Sequence, residues 1–111
     1  MQIDPCAFTP LRFETLPPQP MRGETDAGAL YRQADAAGIR LRVIDYAPGF
    51  LADHWCDIGH FAYVLSGTVT IELKDGVAHH LMAGEAFLVS SHGDAAHRVR
   101  TEQGARLLIL D

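Results

Sequence analysis

His54-Trp55-Cys56-Asp57-Ile58-Gly59-His60-Phe61-Ala62-Tyr63-Val64-Leu65-Ser66-Gly67 is the stretch whose reading decides the fold. His54 and Cys56 stand two apart in a short segment expected as a strand, which sends both side chains off one face. His60 follows a turn at Gly59, close enough to converge with them from the next strand, Phe61–Leu65. Imidazole and thiolate suit zinc, iron, nickel or copper, whereas calcium and magnesium prefer oxygen. His97 opens another expected strand and supplies a fourth donor from across the domain. The candidate metal ligands are therefore His54, Cys56, His60 and His97.

Outward from this stretch the chain reads as short strands separated by turns. Upstream, Ile39, Leu41 and Val43 alternate with Arg40 and Arg42, the period-two pattern of a half-buried strand. That pattern assigns the two arginines to a solvated face, with a carboxylate clamp as the lesser alternative. Downstream, Val69, Ile71 and Leu73 alternate with Thr68, Thr70 and Glu72. Lys74-Asp75-Gly76 then supplies hairpin chemistry. His79–Met82, Ala86–Val89, His97–Arg100 and Ala105–Leu110 complete the series, with Ser90–Asp94 among the separators. Strands at such intervals indicate a sandwich or barrel. Only Ala27–Ala37 has helical composition, so at most one short helix is expected there. Residues 1–24 carry five of the six prolines and read as an extended arm over the domain, with Phe8, Leu11 and Phe13 as candidate anchors.

The run His54-x-Cys56-x-x-x-His60, followed after six residues by Gly67, resembles the first cupin motif. Gly84–Val89 followed by His97 resembles the second. The longer string Tyr46–Cys56, with Asp53-His54-Trp55-Cys56 at its end, is similar to the uncharacterised small cupins described by a DHCW motif. The resemblance runs over most of the chain from about Phe8. It implies an all-β, double-stranded β-helix (jelly-roll) barrel over residues 25–111, and metal ligation by the motif positions. Cys56 stands where the family has its second histidine, and His60 where it has glutamate. The second motif also lacks its usual proline, and the gap from Gly84 to His97 is longer than the pattern.

Length and composition set the outer bounds. With 111 residues, 48% apolar and 21% charged, the chain is one ordinary globular domain. Its net charge of −5, with no basic face, excludes the usual electrostatics of nucleic-acid binding. No apolar run is long enough to span a bilayer. No secretory signal is visible, so the two cysteines are expected as reduced thiols of a cytoplasmic protein. Two functions lead, with a protein-interaction domain carrying a vestigial site as a third. One is a metal-dependent protein, with zinc, iron or nickel, acting on a small organic molecule by dioxygenase- or isomerase-like chemistry. The other is a small-ligand-binding or sensing module without metal, its histidines merely hydrogen-bonded around a polar pocket. Trp55 and Tyr63 point away from the cluster and are expected to pack between sheets or subunits, and Asp53 is a candidate orienter of a ligand. His79, His80 and His92 are read as surface or loop residues. The resemblance further implies a homodimer.

Overall fold

The longest strand organises the molecule. In the computed structural model, which describes residues 2–92 and 96–111, His60–Leu73 is one strand of 14 residues running through both sheets of a sandwich. The strands are β1 (Gln19–Met21), β2 (Ala29–Ala36), β3 (Ile39–Tyr46), β4 (His60–Leu73), β5 (Ala78–Met82), β6 (Ala86–Val89), β7 (His97–Arg100) and β8 (Ala105–Leu110). One sheet runs β1-β2-β3-β8-β4, and β6 pairs with the first part of β4. The other sheet pairs the second part of β4 with β5 on one side and β7 on the other. This is the jelly-roll arrangement, with one 3-10 turn at Phe13–Thr15 as the only helical element among the described residues. The last two residues of the expected separator Ser90–Asp94 straddle the edge of the described residues: Gly93 and Asp94 lie outside them.

The change of sheet within β4 has a local cause. A register shift between Val64 and Ser66 inserts one extra residue against β8. Such a bulge bends a strand and reverses the parity of its inward face. His60, Ala62 and Val64 are buried before it, and Val69 and Ile71 after it. Gly67 sits at the bend with φ of 76°, and a Cβ there would meet the Gly104 carbonyl oxygen at 2.2 Å. Only glycine fits so close a backbone approach. The core lies between the sheets, around Ile44, Tyr46, Phe50, Val64 and Leu107.

Three expectations are sharpened or corrected. The Ala27–Ala37 segment, expected to hold at most one short helix, holds none: Ala29–Ala36 pairs rung for rung with Tyr46–Ile39. Eight ladder pairs outweigh the weak helical preference of its alanines. Ala37 and Gly38 make the turn between these strands with φ of 51° and 80°, both positive, as a type I′ hairpin requires. The second correction concerns the arm. Phe8 anchors nothing on this chain, being 96% exposed, whereas Phe13 is half-buried. Residues 1–24 are held by the pairing of β1 with β2, by Met21 against the core, and by polar contacts: Asp4 N–H donates to the Ala37 carbonyl, and Glu14 accepts from Arg106. The third concerns β3. Ile44 and Tyr46 are buried on its interior face, and Arg42, which shares their parity, lines the interior cavity rather than a solvated face. Arg40, at the strand end, stays a third exposed against Asp111.

Candidate metal centre

Cys56 and His97 are brought together by the backbone. The Cys56 N–H donates to the His97 carbonyl at 2.7 Å, and the His97 N–H returns a bond to the Cys56 carbonyl at 3.0 Å. Residues directly opposite in an antiparallel bridge share a face, so thiol and imidazole leave side by side. His60 opens β4 on the facing sheet, in register with Val89. Its ring meets His97 across the sandwich, with the two Nε2 atoms 3.2 Å apart and the ring centroids at 4.9 Å. Phe87 walls the pair in, edge-on to both rings at 5.9 and 6.1 Å. One donor atom from each of Cys56, His60 and His97 lies within 4.8 Å of the others.

This group can hold a metal ion. Two imidazole nitrogens on a tetrahedral zinc at about 2.0–2.1 Å stand about 3.3 Å apart, and the observed 3.2 Å matches that span. The donor set, two imidazoles and a thiol, favours a borderline or soft transition metal. His60 is 9% exposed, and its Nδ1 is buried without a hydrogen-bond partner. Burial pushes its pKa down to about 4, with the neighbouring His97 and Arg42 adding to the effect. His60 is therefore neutral at physiological pH, which is the ligating form.

His54 stands apart from this group. The expected strand His54–Cys56 is reduced to the single bridge at Cys56, so the shared-face argument for His54 does not hold. Its side chain is 72% exposed, and its Nδ1 lies 2.8 Å from the Asp53 carboxylate. It borders the interior cavity without entering the cluster. Trp55 turns outward and stacks on the Arg98 guanidinium, 4.6 Å from the ring centroid. His80 bonds the Thr70 hydroxyl at 2.8 Å, and His92 lies 3.4 Å from the Asp57 carboxylate. Both are outside the site.

The interior cavity has a volume of about 100 Å³ and is lined by Cys56, His60 and His97 together with Arg42, Tyr46 and Phe87. Sequence reading assigns Arg42 to a solvated face and keeps a carboxylate clamp only as the lesser alternative. The parity signal was present, because Ile44 and Tyr46 continue the same alternation as Arg42, but the larger apolar residues at 39, 41 and 43 masked it.

Comparison with known proteins supports this architecture. No protein-family model matches the chain, and no curated protein matches it. Solved structures do. The polyketide cyclase RemF from Streptomyces resistomycificus is 20% identical, with 94% of this chain and 78% of that one aligned at a TM-score of 0.76. An RmlC-like cupin from Shewanella frigidimarina is also 20% identical, over 87% and 83% of the two chains, with a TM-score of 0.69. The EutQ protein of Clostridium difficile is 13% identical, over 77% and 68%, with a TM-score of 0.65. The chain therefore has the cupin fold. Its described residues are nearly all β, and they carry a Cys-His-His group that can bind a metal.

Proposed function

We propose that this protein holds one divalent transition-metal ion on Cys56, His60 and His97, and that it binds or turns over a small organic molecule in the adjoining cavity. The observation that carries the reading is the convergence of three donors from separate strands, with the two Nε2 atoms at metal-ligand spacing. A three-ligand protein set leaves a coordination position open, as catalytic metal sites do. The bound ion would supply Lewis acidity or dioxygen chemistry. The chain's own part is to keep the His60 imidazole neutral, to exclude water behind Phe87 and to orient the ligand. The similarity to DHCW-motif cupins belongs to the same proposal, as does a reducing, cytoplasmic setting, supported by two free cysteines. A homodimer is supported by exposed Tyr63, Leu65 and Leu88 on one sheet face.

The test is metal content. Protein purified without chelator should carry about one transition metal per chain. Cobalt substitution should give a thiolate charge-transfer band that disappears in Cys56→Ser. His60→Ala should lose the metal, and His54→Ala should retain it. Absence of stoichiometric metal, with binding also absent on reconstitution, overturns the reading. The His60–His97 contact favours one alternative, because two neutral imidazoles can hydrogen-bond one another and line a metal-free ligand pocket.

A further inference from the structure

Arg42 is placed where an interior strand position ordinarily carries an apolar side chain. Its side chain is 17% exposed, and burying a guanidinium is costly unless its donors are met. A guanidinium has five N–H donors, and the only acid facing Arg42 among the described residues is Asp111. That carboxylate is already taken, since Arg40 donates to both of its oxygens. Arg42 reaches it only through one NH2 contact of 3.4 Å, and the Arg42 Nε is buried with no partner. Arg40 and Arg42 thus share the Asp111 carboxylate, and Arg40 has Asp35 opposite it as well, so Arg42 is the one left without a carboxylate of its own. A second unpartnered buried polar atom, His60 Nδ1, belongs to the same cavity lining. Buried polar groups are nearly always paired, so a guanidinium on the cavity wall with so few of its donors met calls for a further acceptor.

We infer that Arg42 is the anchor for a small carboxylate, whose oxygens accept from the guanidinium while its apolar stem lies against Ile44, Phe87 and Ile109. This rests on the reading of the cavity as a ligand site, and it does not require the metal. The planar guanidinium matches a carboxylate two-by-two, which gives orientation as well as attraction. The lining selects an organic acid over an inorganic oxyanion, because phosphate has no stem to cover that apolar wall. The volume sets the size. A sealed cavity of about 150 Å³ holds benzene, so the space of about 100 Å³ here, open to solvent on the side of His54, suits a short-chain acid. Fixing Asp111 does not require Arg42, because Arg40 already grips that carboxylate in bidentate fashion.

The experiment is calorimetric titration of the full chain with acetate, propionate and pyruvate, against acetamide and propionamide as neutral isosteres and inorganic phosphate as the stemless anion. Each titration is run on chelator-treated protein and again after one equivalent of zinc. The acids should bind at least tenfold more tightly than the amides. Arg42→Gln should erase that preference, and Arg42→Lys should keep part of it. Asp111→Asn, which removes the competing carboxylate, should tighten acid binding severalfold, and it tests the proposal even if Arg42→Gln fails to fold. Equal binding of acids and amides, full affinity in folded Arg42→Gln, or phosphate binding as tightly as propionate overturns the assignment. Zinc uptake without acid selectivity removes the anchor and leaves the metal reading standing. Acid selectivity without zinc uptake does the reverse.

Discussion

The two halves of β4 use the same backbone in opposite ways. In Thr68–Leu73 the apolar residues Val69 and Ile71 are buried, while Thr68 and Glu72 look outward. In His60–Leu65 the bulkier apolar residues look outward instead. Tyr63 and Leu65 are 36% and 43% exposed, whereas His60, Ala62 and Val64 are buried. Interior space in this half is given to a histidine beside small residues, which makes room for a cavity. The bulky residues left outside continue across β6, where Leu88 is 80% exposed. A half-strand that buries its polar residue and exposes its bulkiest apolar ones leaves room for a site inside and an apolar face outside.

The sharpest way to break this comparison is to exchange neighbours across the sheet. Val64 is fully buried, so Val64→Asp places an unpaired carboxylate in the core, at a cost of about 4 kcal/mol or more. That is much of the stability of a small domain, about 5–15 kcal/mol. Circular-dichroism melts should show Val64→Asp largely unfolded, and Leu65→Asp, one residue on, folded within about 1 kcal/mol of the parent. Equal damage from both would mean that the inward and outward faces of this half are not distinct.

The next effect comes from His60 in metal-free protein. Its folded pKa, about 4, lies below the ordinary 6.5, so the unfolded chain takes up the proton first. Stability is then complete above about pH 6.5, falls as pH drops, and levels off below about 4. The loss should be on the order of 2 kcal/mol, allowing for partial water access. Asp111, held below its usual range chiefly by its hydrogen bond to Arg40, adds a further loss in the same direction at lower pH. Urea unfolding at pH 7.5 and 5 in chelator measures the slope, and His60→Gln should flatten it. An unchanged slope would show that His60 is not held neutral by its surroundings.

The same contrast explains what sequence reading reached. Ala86–Val89, His97–Arg100 and Ala105–Leu110 appear as strands with the expected bounds, because their turns and alternation are local signals. Val69 and Ile71 are buried as their alternation indicates. The same rule misleads for β3, where residues 39, 41 and 43 look like the inward set although Arg42, Ile44 and Tyr46 face the cavity. Apolar residues on both faces make the phase ambiguous, and only pairing with β8 and β2 resolves it. Cys56 meets His97 through a bridge between residues 41 apart in the chain, which no local pattern encodes. His54 lies two residues from Cys56, but a bend at Asp53–His54 breaks the strand geometry that would have joined them.

The smallest effects belong to the outward faces, and they should differ in kind. Glu72 lies between Arg98 and Arg100 and accepts from both. These side chains are a fifth to a third exposed, so solvent weakens the pairs and Glu72→Gln should cost less than about 1 kcal/mol. Salt should reduce that cost further. Leu88→Glu should also leave the melting temperature nearly unchanged, since surface substitutions rarely exceed about 0.5 kcal/mol. Its effect should appear in sedimentation, as a shift from dimer to monomer at micromolar concentration, while Glu72→Gln stays dimeric. A parent that already sediments as a monomer would remove the partner from the outward apolar face. Tyr63, Leu65 and Leu88 would then be only the outer surface of a half-strand whose inner face is given over to the site.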